Sequence, residues 1–125
     1  MSLRRITNSS QQGIVEEQRA VVVHCSFIPD EDCRIQLAQD AVLHDHGSQH
    51  KSRLLYMEGL GIPAIPQLMI KDRTVRFTLY FEPLPADCTM FNLSMALEDG
   101  QSLVAVDVPR LRKDVYNVEL ELAPF

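Results

Sequence analysis

One segment, residues 74–97, restricts the fold more than any other part of the chain. Apolar and polar side chains alternate along its first half and again along its second half. The apolar positions are Val75, Phe77, Leu79, Phe81, Phe91, Leu93, Met95 and Leu97. Successive side chains of a strand face opposite sides, so this pattern predicts two strands that each bury one face. Pro83 and Pro85 separate them because proline has no N–H for a ladder, and the segment predicts an antiparallel sheet with one covered face.

Similar patterns recur along the rest of the chain. Residues 15–28 and 103–108 are rich in valine, and residues 118–122 alternate Val, Leu and Glu. Residues 34–43 fit a strand, although their apolar residues also lie near helical spacing. The count is about seven or eight strands at the spacing of a sandwich or barrel, so the sequence predicts an all-β fold.

Length and charge narrow the class of protein. The chain has 125 residues, which predicts a single domain over residues 14–125 after a flexible arm at residues 1–13. Its net charge of −5, from 12 basic and 17 acidic side chains, argues against nucleic-acid binding. No apolar run approaches the ~20 residues of a membrane-spanning helix. The first residues do not resemble a signal peptide, so we expect either a cytoplasmic protein or a fragment whose export signal has been removed.

The chain contains three cysteines, Cys25, Cys33 and Cys88. An odd number is not a disulfide framework. Cys25 could pair with Cys33 across a turn or with Cys88 across two sheets. The third interpretation is that all three are partly buried thiols that behave as small apolar residues.

A histidine cluster is the clearest candidate for chemistry. His44, His46 and His50 lie within seven residues of one another, with Asp45 between the first two. Neutral imidazole is a ligand for zinc, nickel and copper, so the cluster predicts a possible divalent-metal site. The competing interpretation is a solvated polar loop, since the spacing matches no specific metal motif.

Other reactive residues do not form a catalytic group. His24 and Cys25 are adjacent in a predicted strand, where neighbouring side chains face opposite sides, so they cannot act as a pair. His24 is expected to be half-buried. The basic residues Arg110, Arg112 and Lys113 follow Pro109 and could contact an acidic partner or form a solvated turn.

A possible contact surface lies on the polar side of the predicted strand at residues 74–81. Tyr80, Arg76 and Thr78 share that side with Thr74. Tyrosine and arginine are enriched at interface hot spots, which favours a role in partner binding. Ordinary cross-strand pairing explains the same residues equally well.

The segment FTLYFEPLPAD, residues 77–87, followed by Phe91-Asn92-Leu93, resembles the strand and Pro-Leu-Pro turn of immunoglobulin-like β-sandwich domains from exported Bacteroidetes proteins. Residues 54–62, LLYMEGLGI, also resemble a segment of that family. The resemblance covers about residues 53–93. It implies an immunoglobulin-like antiparallel β-sandwich, an extracytoplasmic location and an accessory role, and it supplies no catalytic residues.

Two functional hypotheses follow from these observations. In the first, the chain is a non-enzymatic accessory or protein-interaction domain that contacts a protein partner or an adjacent domain, with a possible weak homodimer through an edge strand. In the second, residues 44–50 bind a divalent metal or a small ligand. A spacer domain without a ligand of its own is a further alternative.

Overall fold

The computed structural model of the chain describes residues 19–35, 37–60, 67–97 and 100–123. These residues form an all-β structure in which no helix occurs. The strands are β1 (Val21–Phe27), β2 (Cys33–Ile35), β3 (Leu37–Asp45), β4 (Lys51–Glu58), β5 (Gln67–Met69), β6 (Val75–Phe81), β7 (Met90–Leu97), β8 (Ser102–Pro109), β9 (Val115–Glu119) and β10 (Glu121–Ala123).

Eight of these strands form one large sheet in the order β10-β8-β7-β3-β4-β6-β1-β9. Its ladders are antiparallel except the pairing of β1 with β9, which is parallel. The short strands β2 and β5 form a separate antiparallel ribbon.

Two segments connect the half of the large sheet formed by β10, β8, β7 and β3 with the half formed by β6, β1 and β9. The beginning of β4 pairs with β3, while its end pairs with β6 after a register shift between Leu54 and Tyr56. At the opposite side, β9 pairs with β1 and β10 pairs with β8, although Leu120 alone separates the two strands. The same stretch of chain therefore joins both ends of the sheet, and the sheet is nearly closed as a barrel.

The core lies inside this nearly closed sheet. Strands β6 and β7 bury alternate residues, as the alternation at residues 74–97 predicts. Among the fully buried side chains are Leu79, Phe81, Phe91 and Leu93. The two strands are not neighbours, however. The proline segment that follows β6 carries the chain across to the other half of the sheet instead of forming a hairpin.

Other predictions are confirmed or corrected in detail. The described residues of the range 34–43 are extended and lie in β2 and β3, which confirms strand structure rather than a helix. The expected strand at 118–122 is wrong as a single element, because residues up to Glu119 pair with β1 and residues from Glu121 pair with β8, with the buried Leu120 between them. The described residues form ten strands rather than seven or eight, and three of the ten have only three residues. The predicted arm at residues 1–13 lies outside the described residues.

Candidate functional site

Strands β4, β6, β1 and β9 lie side by side and turn alternate side chains away from the core. Their registers place outward residues of neighbouring strands beside one another in three rows. The first row holds Tyr56, Tyr80, Val22 and Val115, the second holds Glu58, Thr78, His24 and Asn117, and the third holds Arg76, Ser26 and Glu119. We call these three rows the outer face.

Two tyrosines dominate the first row of the outer face. The ring centroids of Tyr56 and Tyr80 lie 5.7 Å apart, with 41° between the ring planes. The Tyr80 hydroxyl donates a hydrogen bond to Glu58 Oε1, and this bond raises the pKa of Tyr80. Tyr56 is 60% exposed. The result is a fixed aromatic surface that solvent or a partner can reach.

A cleft of ≈ 650 Å³ opens beside the second and third rows. Its lining includes the hydrogen bond between His24 Nδ1 and Thr78 Oγ1, which are 2.9 Å apart. Gly59 forms part of the wall with a φ of +93°, and a Cβ there would lie 3.1 Å from the backbone oxygen of Arg76. Only glycine combines that conformation with such a close approach. The side chains of His24, Thr78 and Glu58 in this lining give the cleft both hydrogen-bond donors and acceptors for a polar group.

The third row adds charges of both signs. Arg76 and Glu119 are exposed and line the cleft from β6 and β9. Neither side chain forms an ion pair with another of the described residues. A binding partner can therefore pair with either charge without first breaking an ion pair between described residues.

The structure places Tyr80, Arg76 and Thr78 on this one exposed face, as the alternation along β6 predicts. It also adds residues that the sequence does not connect with them, including Tyr56. His24 is exposed rather than half-buried, contrary to expectation. The valines before it suggested burial, but Val21 and Val23 alternate with His24 and face the core instead.

Two histidines of the predicted metal cluster bond to different strands. His46 Nε2 donates to Asn92 Oδ1 at 2.7 Å and lies 3.5 Å from Asp107 Oδ1. His50 Nε2 lies 2.9 Å from Ser52 Oγ. The two imidazoles thus have separate hydrogen-bond partners, on β7 and β4.

The third histidine, His44, sits at the end of β3 beside Lys51. Partial burial, and secondarily the charge of Lys51, lower the pKa of His44. Asp45 is buried and accepts hydrogen bonds from Gly47 N at 2.9 Å and Ser48 Oγ at 2.7 Å, which lower the pKa of its carboxyl group. Across the described ranges, no group of three or more His, Cys, Asp or Glu residues is placed to hold a metal ion. Metal binding by residues 44–50 stays a prediction.

The cysteines show no arrangement for nucleophilic chemistry. Cys25 and Cys88 are buried, and no disulfide joins any two of the three cysteines. Burial raises the pKa of the Cys25 thiol to about 12, which keeps it protonated at neutral pH. Cys25 faces the core while His24 faces solvent, which confirms that the two do not act as a pair.

A second arginine–tyrosine group lies between β8 and β9. Arg110 Nε donates to Asp114 Oδ1 at 2.6 Å, and a second guanidinium nitrogen donates to Oδ2 at 3.0 Å. Another guanidinium nitrogen donates to Pro85 O at 2.7 Å and Cys88 O at 3.2 Å. The bond to Asp114 is the main cause that raises the pKa of Arg110. This fork ties the β8–β9 connection to the turn before β7.

Tyr116 completes this group, which we call the Arg110 anchor. Its hydroxyl accepts a hydrogen bond from Leu111 N at 2.9 Å and donates one to Asp114 Oδ1 at 2.8 Å. Its ring packs edge-on against Phe91, with centroids 5.0 Å apart. Burial raises the pKa of Tyr116 to about 12. The anchor is an internal, hydrogen-bonded structure rather than a binding surface.

The described part of the chain contains no helix with the length and hydrophobicity that a membrane crossing requires. Comparison with protein-family models, curated proteins and solved structures finds no match to this chain.

Proposed function

We propose that this chain is a non-enzymatic accessory domain that binds a protein partner, or an adjacent domain, through its outer face. The observation that carries the proposal is the combination of a tyrosine pair, exposed at Tyr56 and half-buried at Tyr80, with an arginine that forms no ion pair with the other described residues. Tyr56 and Tyr80 offer aromatic area that is already ordered, and Arg76 offers a charge that no described residue neutralises in an ion pair. Aromatic and arginine side chains dominate the energetics of protein interfaces.

The arrangement of the rows supports contact over a broad area. The aromatic row lies beside the polar row, and the polar row lies beside the charged row. A protein surface with an apolar centre and a polar edge matches such a sequence of rows. The cleft at Gly59 gives one inserted side chain a place among hydrogen-bonding groups.

An immunoglobulin-like sandwich is the finer fold that we propose. Support comes from β4 and the β9–β10 segment, which pass between the two halves of the sheet as sandwich strands do. The Tyr116 hydroxyl also contacts the backbone of Leu111, five residues upstream, much as in the tyrosine corner of such sandwiches. The resemblance at residues 53–93 favours the same fold and an extracytoplasmic location.

The test is affinity capture from extract of the source cells with the full chain as bait, read by quantitative mass spectrometry. Three variants accompany the wild type: Y56A, R76A and V106A. Val106 on β8 is the matched control because it is 59% exposed, close to the 60% of Tyr56, and lies in the other half of the sheet. The proposal predicts proteins that wild type and V106A capture equally and that Y56A and R76A lose.

Capture that Y56A and R76A leave unchanged would contradict the assignment to the outer face. Capture of nothing specific by the wild type would instead favour the spacer alternative. A parallel experiment with chelator addresses the metal hypothesis. If capture fails only with chelator, or only in the H44A/H46A variant, residues 44–50 become the site.

A further inference from the structure

We infer that β9 is a self-pairing edge, through which two copies of this chain join their sheets in antiparallel register about Asn117. The inference concerns the edge of the sheet rather than the outer face, so it does not depend on the proposed function. It begins from the backbone of β9, which pairs with β1 on one side and with no described strand on the other.

Two hydrogen bonds, one at each end of β9, show which way the backbone N–H and C=O groups of this strand point. Val22 N donates to Asp114 O at 2.9 Å before the strand, and Leu120 N donates to Ser26 O at 2.7 Å after it. In a parallel ladder, alternate residues bond to the neighbouring strand, and the residues between them point their N–H and C=O groups the other way. Even-numbered residues therefore bond to β1. The N–H and C=O groups of the odd-numbered residues, Val115, Asn117 and Glu119, point to the open edge.

These three residues are accessible, and their backbone groups at the open edge pair with no described strand. Val115 is 42% exposed, and Asn117 and Glu119 are also exposed. A row of unpaired backbone groups on an exposed strand is a template for another strand. Within the described chain, the other unpaired stretches are less suitable. Those of β3, β4 and β8 each lie beside a register irregularity, and β2, β5 and β10 have only three residues.

The side chains of β9 favour a second copy as the occupant. The residues whose backbone groups point to the open edge are symmetric about Asn117. An antiparallel second copy therefore pairs Asn117 with Asn117 and Val115 with Glu119. This register uses every backbone N–H and C=O group at the open edge of both strands. Glu119 is the only charged side chain in β9. In this register it faces the second copy's Val115 rather than another carboxylate, which avoids like charges in directly opposite positions. Two-fold pairing of one patch with itself is the commonest way that identical chains associate.

Pairing of two β9 strands would also enlarge the outer face. Asn117 and Glu119 line the cleft at the β9 side of the outer face. A two-fold axis at Asn117 therefore brings the two clefts side by side and makes one continuous outer face from both copies.

The test is sedimentation of the full chain from about 10 μM to about 1 mM, a range suited to a small interface. The matched variants are V115E and V115K, which place opposite charges at the same exposed position. V115E puts a carboxylate opposite Glu119 in both symmetric contacts and should weaken the dimer about 2- to 30-fold, whereas V115K should tighten it by a similar factor. The double variant V115E/E119K restores opposite charges and should recover dimerisation.

Amide hydrogen exchange gives a second measurement at single residues. The amides of Val115, Asn117 and Glu119 should become protected as concentration rises. Those of Tyr116 and Val118 should be protected at every concentration, because they bond to β1.

Three results would overturn the inference. The first is a monomer across the whole range. The second is protection of the odd-numbered amides in the monomer, which would mean that another segment of the same chain covers the edge. The third is a dimer whose affinity does not respond to the sign of the charge at position 115.

Discussion

The Arg110 anchor and the outer face use the same residue types, arginine and tyrosine, in opposite ways. The guanidinium of Arg110 donates hydrogen bonds to Asp114 and to two backbone carbonyl groups, and the side chain is only 20% exposed. Arg76 is exposed and has no ion partner among the described residues. Residue type therefore does not distinguish a stabilising group from a recognition group. What distinguishes them is whether the donors are already satisfied inside the protein.

The largest effect is expected from R110A. The substitution leaves the Asp114 carboxylate, 13% exposed, without its bidentate partner and two carbonyl groups without a donor. Breaking a buried pair costs about 3 kcal/mol at the lower end of its range, which suits a pair that retains some exposure. Urea unfolding measures the change in free energy. R110K keeps the charge but not the fork, so it should lie between R110A and wild type. Equal stability of all three would show that the anchor does not stabilise the fold.

A smaller effect is expected from Y116F, which removes the hydroxyl bonds to Leu111 and Asp114 but keeps the ring. We expect a loss of about 1–2 kcal/mol at neutral pH, because partly buried groups lose their partner. The pH profile should change as well. The folded-state pKa of Tyr116, about 12, lies above the ordinary value of 10.0, so the tyrosine's contribution is complete below pH 10 and lost as pH rises through 12.

Unfolding measured between pH 9 and 12 separates this contribution from that of Cys25, whose pKa is also raised. Wild type and Y116F share the cysteine, so the difference between their curves isolates the tyrosine. That difference should shrink as pH rises toward 12. Parallel curves would mean that Tyr116 ionises as easily in the folded chain as in the unfolded one.

The smallest effect on stability is expected from R76A. Among the described residues Arg76 forms no ion pair and no side-chain hydrogen bond, and exposed substitutions of this kind usually change stability by less than about 0.5 kcal/mol. The same urea unfolding applies. The two arginine-to-alanine substitutions, R76A and R110A, should differ several-fold in the unfolding free energy that they remove. A loss with R76A as large as that with R110A would show that Arg76 is structural, and would remove the main support for the outer face as a binding surface.

The sequence predicts the faces of individual strands well. Phe77, Leu79 and Phe81 are buried and Arg76 is exposed, as the alternation requires. It predicts the Arg110 anchor poorly. A basic cluster followed by polar residues suggested a solvated or partner-binding turn, and Arg112 and Lys113 are indeed exposed. Arg110 turns inward instead, because Asp114 and the carbonyl groups before β7 come together only in the folded chain.

Only part of the candidate site is predictable, because alternation gives the face of a residue within one strand but not the pairing between strands. Tyr80, Arg76 and Thr78 follow from one strand, but His24, Tyr56 and Asn117 join them through pairings between strands that are distant in sequence. Nothing in the local pattern of β9 shows that it pairs in parallel with β1. The histidines at residues 44–50 show the converse, since their closeness in sequence does not give them common partners.

The alternation of apolar and polar residues is enough to predict that this chain forms β-strands and which side of several strands is buried. The physical reason is that the direction of a side chain on a strand depends only on its position in the alternation. The tertiary structure alone decided which strands are neighbours, where β9 ends and β10 begins, and which arginine has its donors satisfied. Those outcomes depend on registers and hydrogen bonds between distant segments, and alternation along a single strand carries no information about them.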